Sequence, residues 1–214
     1  MEPRDPTGGS YDAVAEEYVQ RIYHELEGKP FDRALLDRFA DRVRESGTVA
    51  DVGCGPGHVA RYLHGRGAQV CGIDLSSRMV DQARALNPGI AFSRGDMRSL
   101  DVPDGTWAGI VAFYSLIHIP RHQVVEILRE LRRALASGGL LLLAFHVGED
   151  VLHLDDLWGR SVSLDFVFFR PDEMRSSLEA AGFAVEEVLE REPYAPEVEH
   201  QSRRCYVLAR KESA

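Results

Sequence analysis

Val49-Ala50-Asp51-Val52-Gly53-Cys54-Gly55-Pro56-Gly57-His58 is the stretch on which the reading of this chain turns. A short, mostly apolar run enters three glycines spaced two apart. A helical pattern then opens at Gly57 and runs to Gly65. Glycine tolerates positive φ and lets another group approach the backbone closely. The helix start behind it presents N–H groups without intrahelical partners. Strand, glycine turn and helix together form the first βα unit of an open sheet, and such sheets bind ligands beyond the carboxyl ends of their strands.

The pattern repeats outward from this unit. Thr48–Val52 reads as a first strand, Gln69–Asp74 as a second, Ile90–Arg94 as a third and Trp107–Phe113 as a fourth. The very apolar Leu140–His146 is a fifth, introduced by a turn at Ser137-Gly138-Gly139. Helices are expected at Ser76–Leu86 and Gln123–Leu135 between them. Strands of near-continuous apolar character, alternating with helices, imply a parallel sheet covered on both faces. After a helix at Asp172–Ala181, Phe183–Glu192 and Cys205–Arg210 follow as two strands without a helix between them, which pair antiparallel most easily. Upstream, residues 1–10 read as a loose tail. Ser10 is a candidate cap for a helix from Tyr11 to Glu27, and a second helix is expected over Asp32–Arg44.

Three carboxylates end three successive strands: Asp51 in the glycine stretch, Asp74 in Gly72-Ile73-Asp74-Leu75, and Asp96 in Arg94-Gly95-Asp96-Met97. A dinucleotide loop reads G-x-G-x-x-G and rests a pyrophosphate on the helix start. Here His58 holds the third glycine position, and a carboxylate at Asp51 repels a pyrophosphate while suiting an ammonium group. Asp74 stands about 20 residues beyond the first glycine, where a carboxylate accepts from ribose hydroxyls. Asp96 is placed to accept from an adenine amino group.

Asp-x-Gly-x-Gly-x-Gly, then Gly-x-Asp, then Gly-Asp-Met resembles the class I S-adenosylmethionine (SAM)-dependent methyltransferases, over roughly residues 48–146. The resemblance implies a doubly wound α/β fold with helices on both faces. Its seven-stranded, mostly parallel sheet has the order 3-2-1-4-5-7-6, with the last strand antiparallel. It also implies an N-terminal helical lid over residues 1–46 and a SAM-binding domain over 47–214. The implied cofactor contacts are Asp51, Gly53, Cys54, Gly55 and Gly57 toward the methionine end, Asp74 toward the ribose, and Leu75, Met79, Gly95, Asp96 and Met97 around the adenine. Tyr11 and Tyr18 match a lid segment whose tyrosines cover SAM. Phe113 and Tyr114 stand where the family has aromatic and backbone contacts to cofactor and acceptor. The implied activity is methyl transfer to an oxygen or nitrogen of a small molecule. A SAM-binding protein that does not methylate and, less favoured, a nicotinamide-dependent oxidoreductase are the competing readings.

His118 is the expected general base, because imidazole takes up a proton near neutrality. His146, at the end of the fifth strand, is the expected second catalytic or substrate-contacting group. The segment His153–Phe169 concentrates Trp158, Phe166, Phe168 and Phe169, and with Tyr194 reads as an apolar lining for the acceptor. Glu197, Glu199 and His200 read as a solvated loop.

Composition bounds the rest. The chain has 214 residues, 44% hydrophobic and 28% charged, in keeping with one soluble α/β domain. Three scattered cysteines lack the spacing of a zinc site or a disulfide framework, and no metal is expected. A net charge of −9 offers no general attraction to nucleic acid. The expected partner is a small-molecule acceptor, without nucleic acid or membrane. The polar first ten residues lack a signal-peptide layout, which places the protein in the cytoplasm.

Overall fold

The computed structural model describes residues 6–212. Its central sheet has seven strands in the order β3-β2-β1-β4-β5-β9-β8. These are β1 (Val49–Val52), β2 (Val70–Asp74), β3 (Ala91–Arg94), β4 (Trp107–Phe113), β5 (Leu135–His146), β8 (Phe183–Arg191) and β9 (Arg204–Lys211). The first five strands pair in parallel, and β9 runs antiparallel to both β5 and β8. This is the expected order once the separate hairpin described below is left out of the count.

Alternation along β4 shows how the sheet is buried from both sides. Ile110 and Ala112 face a core shared with α5 (Val124–Ala134) and α6 (Pro171–Ala180). Val111 faces the opposite core, shared with α2 (Pro30–Val43) and α3 (His58–Gly65). Helix α5 buries Val124, Ile127, Leu128, Leu131 and Ala134, the i, i+3, i+4, i+7 stripe of an amphipathic helix. Each fully buried Leu or Ile there contributes about 1.5–3 kcal/mol. Helix α4 (Ser77–Leu86) starts with Ser76, whose hydroxyl accepts from Met79 N–H at 3.1 Å.

The structure departs from the sequence reading in four places. Residues 6–10 belong to a helix, α1 (Pro6–Ile22), which swallows Ser10 in its second turn; residues 1–5 lie outside the described residues. Ser10 therefore caps nothing. Its hydroxyl accepts from Ser163 N–H at 2.9 Å and donates to Ser163 O at 3.2 Å, tying the helix sideways to a strand edge. The helix also stops at Ile22, and Glu25–Gly28 forms a separate 3₁₀ turn.

Strand β5 begins at Leu135, so Ser137-Gly138-Gly139 lies inside it. A Cβ on Gly139 would sit 2.9 Å from Ala136 O and 3.1 Å from Ala108 O. The glycine is thus demanded by close backbone approach where the β4–β5 register shifts.

The aromatic segment is an antiparallel hairpin, β6 (Val151–Leu157) and β7 (Arg160–Val167), outside the main sheet. Trp158 and Gly159 both have positive φ, +55° and +78°, as a two-residue hairpin turn requires.

The two N-terminal helices, grouped as one lid from the sequence, pack in different places. Leu35, Leu36, Phe39 and Val43 of α2 enter the core beneath the sheet. Helix α1 crosses the strand ends. It meets α4 through Asp12, which accepts from Ser76 Oγ at 2.6 Å and Arg78 N–H at 2.9 Å, and meets β7 through Ser10.

Candidate functional site

The carboxyl ends of β1, β2 and β4, the segment after β3 and the underside of α1 enclose a cavity of about 920 Å³ including its open mouth. Of the residues singled out in the sequence, Tyr11, Tyr18, Gly53, Cys54, Gly55, Asp74, Leu75, Met79, Gly95, Asp96, Met97, Phe113, Tyr114 and His118 line it. Asp51, Gly57 and His146 do not.

The glycine loop owes its shape to two crowded neighbours and one open face. Gly53 has φ +75°, and a Cβ there would lie 2.2 Å from Ser115 Cβ, because Ser115 Oγ donates to Val52 O at 2.7 Å and pulls the two loops together. Gly57, at φ +81°, is backed by the Phe92 ring at 2.7 Å and so serves packing beneath the loop. Gly55, at φ +52°, presents bare backbone to the cavity, with only Tyr18 at 3.8 Å from a Cβ placed there.

The three carboxylates do not share one groove. Asp51 is 2% exposed and turns beneath the loop, where Oδ2 accepts from Ala60 N–H at 2.9 Å in the first turn of α3. Burial pushes its carboxyl up to about 7, against the opposing influence of His58. It acts as a helix cap supplied by the preceding strand, so the expectation that it faces a ligand ammonium is corrected. Asp74 does face the cavity. Its two oxygens accept from Gly55 N–H at 2.7 Å and Ser76 N–H at 2.8 Å, while burial raises its pKa. Asp96 accepts from Arg98 N–H at 2.9 Å at the more open end.

Among the cavity residues not singled out in the sequence are Glu25 and His58. Glu25, in the 3₁₀ turn after α1, bonds His58 Nε2 at 3.1 Å and Lys29 Nζ at 2.7 Å. Burial opposes its ionisation, but His58 and Lys29 outweigh that and hold its carboxyl down to about 2. His58 Nδ1 is buried with no hydrogen-bond partner among the described residues. No local motif marks Glu25, because its role depends on the chain returning across the loop 33 residues away.

The two expected histidines are both engaged. His118 Nδ1 lies 2.8 Å from the Asp165 carbonyl and Nε2 lies 2.8 Å from Tyr11 OH. His146 does not line the cavity and packs beside Tyr114, which does, ring centroids 5.2 Å apart. Tyr114 itself has φ +52°, rare for a residue with a side chain. Its hydroxyl meets Tyr206 OH at 3.2 Å, and Tyr206 OH donates to Asp32 at 2.9 Å.

Behind Tyr114 runs a buried charge network: Asp32, Arg191, Glu199, Lys29 and Arg204. Glu199 was expected in solvent and is instead 9% exposed. It takes Arg191, Tyr194 N–H at 2.7 Å and Lys29 at 3.6 Å. Burial works against its charge, yet these partners hold it down to about 2.

Residues 49–139 match the family model of the methyltransferase domain. The chain carries a class I SAM-dependent methyltransferase domain. The chain is 29% identical over 175 residues to the sterol 24-C-methyltransferase of Gibberella zeae, covering 73% of this chain and 46% of that protein. It is 31% identical over 150 residues to a malonyl-acyl-carrier-protein O-methyltransferase of Serratia marcescens, covering 70% and 53%. The chain thus spans about half the length of these curated relatives. A SAM-dependent methyltransferase structure from Methanosarcina mazei superimposes with a TM-score of 0.72 at 18% identity, covering 81% of this chain and 96% of that one. The cavity of the methyltransferase domain fits an adenosyl amino acid. It offers bare backbone at Gly55, the Asp74 carboxylate, the apolar sides of Leu75 and Met97, and the orphaned His58 Nδ1.

Proposed function

We propose that the chain transfers the methyl group of SAM to an oxygen or nitrogen of a small-molecule acceptor in the cytoplasm. The observation that carries this reading is the cavity itself. It gathers the glycine loop, Asp74, Asp96, the α1 tyrosines, Tyr114 and His118 into one enclosure. Asp74 and Asp96 would take the ribose and adenine, with Leu75, Met79, Gly95 and Met97 around the base. Gly53, Cys54 and Gly55 would take the methionine end, which Glu25 and His58 face from α3 and the 3₁₀ turn.

When bound, SAM supplies a methyl already made electrophilic by its sulfonium. The protein's own share is therefore position and exclusion of water. Tyr11 and Tyr18 meet edge to face at 5.8 Å, Tyr18 leans on Trp158 at 5.9 Å, and together they cover the cavity from above. Tyr114 closes the far wall, its phenol held protonated by burial. An enclosed cavity in an acidic chain supports a small molecule over nucleic acid, and no helix among the described residues is long and apolar enough to cross a membrane.

Calorimetry with SAM and with NAD tests the cofactor, and transfer of tritium from labelled SAM into a metabolite extract tests the reaction. SAM binding with labelled product is the expected result. Binding of NAD alone would sink the proposal, and SAM binding with no label in any extract would leave a binding protein that does not methylate.

A further inference from the structure

The N–H groups of the glycine loop are engaged within the protein. Gly53 and Cys54 N–H both donate to Ile73 O, at 2.7 and 3.1 Å, and Gly57 N–H donates to Cys54 O at 2.9 Å. Gly55 N–H donates to Asp74 at 2.7 Å. Pro56 has no N–H to offer. What the loop has left for a ligand is carbonyl oxygen, which suits a cation rather than an anion.

Among the described residues, three carboxylates line the cavity: Glu25, Asp74 and Asp96. The methyltransferase reading gives Asp74 to the ribose and Asp96 to the adenine. Glu25 stands at the glycine-loop end. The Tyr18 ring lies 3.8 Å from a Cβ placed on Gly55, and burial, with Tyr11, Glu25 and Asp74 nearby, holds the Tyr18 phenol protonated. His58, the residue after the loop, meets Glu25 Oε1 at 3.1 Å, and Lys29 Nζ meets Oε2 at 2.7 Å. Each carboxylate oxygen accepts more than one hydrogen bond, so lone pairs remain for a further donor. Lys29 does not neutralise this group outright, because the same ammonium also faces Glu199 at 3.6 Å. The turn that carries Glu25 is fastened from several sides. Leu26 is buried in the core beneath the sheet, and Arg33 donates to Leu26 O and, at 2.6 Å, to Glu27 O. Just upstream, Tyr23 OH donates to Asn87 Oδ1 at 2.6 Å, with the Arg61 guanidinium 4.2 Å from its ring. A carboxylate held in place before a ligand arrives costs little to order on binding.

We propose that Glu25 receives the α-ammonium of SAM beside the glycine loop, supplying from the turn behind the lid helix the carboxylate that Asp51, committed to α3, does not provide. The proposal rests on the methyltransferase reading and adds a cofactor contact from outside the glycine motif. His58 is a positioning residue: the carboxylate only accepts, so His58 Nε2 carries the hydrogen that faces it. Helix α1 ends at Ile22, three residues before Glu25. One continuous stretch of chain therefore both covers the cofactor and takes its ammonium.

The test uses the whole chain and three probes: S-adenosylhomocysteine, its analogue with hydrogen in place of the ammonium, and its analogue with hydrogen in place of the carboxylate. Calorimetry gives the affinity of each for wild type, Glu25→Gln and Asp51→Asn, with urea midpoints to establish that each variant is folded. A second measurement needs no variant. Wild type loaded with the carboxylate-free analogue is treated with a water-soluble carbodiimide, which joins a carboxylate to an amine in contact with it as an amide. Mass spectrometry of the digest then locates the adenosyl adduct.

Glu25→Gln is expected to weaken S-adenosylhomocysteine and the carboxylate-free analogue about tenfold or more, and the ammonium-free analogue by less than about threefold. Asp51→Asn shifts all three by less than about threefold. The carbodiimide adduct falls on Glu25. An equal loss for all three probes in Glu25→Gln overturns the proposal, because a change in the shape of the loop acts on them alike. So does unchanged S-adenosylhomocysteine affinity in that variant, an ammonium-specific loss in Asp51→Asn, or an adduct on Asp51 or Asp74. Each of these leaves the methyltransferase reading standing. Failure of wild type to bind S-adenosylhomocysteine or SAM overturns that reading and this inference with it.

Discussion

The cavity and the buried layer behind Tyr114 are built by different means. In the cavity, one strand, its glycine turn and the next strand supply much of the surface from within residues 52–75, mostly as backbone with the Asp74 carboxylate. Behind its Tyr114 wall, Tyr114, His146, Phe168 and Arg204 come from four distant segments and depend on side-chain packing. The first surface survives wide change elsewhere because local chain geometry makes it. The second depends on a buried electrostatic network, with cationic Lys29, Arg191 and Arg204 balanced by Glu25, Asp32 and Glu199.

The sharpest way to break this contrast is Glu199→Gln. It leaves Arg191, Lys29 and Arg204 short of a carboxylate, and a loss of about 3–5 kcal/mol in urea unfolding is expected. The folded carboxyl sits at about 2, below its ordinary 4.5. The stabilisation is therefore fully present above pH 4.5 and fades as pH falls toward 2, so wild type and variant converge in acid.

Gly53→Ala attacks the cavity. Overlap with Ser115 and a positive φ together cost about 3 kcal/mol in the same assay, and adding Ser115→Gly recovers the overlap but not the backbone strain. Asp74→Asn leaves the fold intact and weakens SAM binding about tenfold or more by calorimetry, the loss of hydrogen bonds to a charged group.

Asp51→Asn separates the two strand-end acids. Its cofactor affinity stays within about threefold of wild type. Its stability effect has a definite sign: the folded carboxyl at about 7 lies above its ordinary 3.8, so wild type loses stability as pH rises between those values. The gain from asparagine is absent near pH 4 and greatest above pH 7, read from urea midpoints across that range. The smallest effect belongs to Tyr11→Phe. It removes one bond of about 1 kcal/mol from the lid and quickens S-adenosylhomocysteine release several-fold in stopped-flow fluorescence.

How much of this was legible follows from the same contrast. The strands β1 to β4 and the glycine loop are written in contiguous, largely apolar runs with turn chemistry between them, and Trp107–Phe113 was located to the residue, while the sheet order came from the resemblance. The 151–167 hairpin was legible too, in the alternation Ser161-Val162-Ser163-Leu164-Asp165-Phe166 after Trp158-Gly159, but its aromatics drew the reading toward a pocket lining. Asp51 shows the limit of motif reasoning: a carboxylate beside a glycine loop has two directions to point, and the α3 N–H groups won. Glu25, Glu199 and Arg204 carried no readable signal. Their surroundings arise when segments far apart in the chain meet, as where Lys29 joins Glu199, and a charged residue in a polar stretch looks the same whether it ends in water or in a core.

Helix α1 is fastened at both sides of the cavity, to the Ser76 cap of α4 by Asp12 and to the edge of β7 by Ser10. Neither mooring belongs to the seven-stranded sheet's own ladder, and between them Val14 is buried against Val162 and Leu164 of β7. The cover over the cavity is thus held by two serines, an aspartate and one apolar seam, all outside the strands that shape the groove beneath.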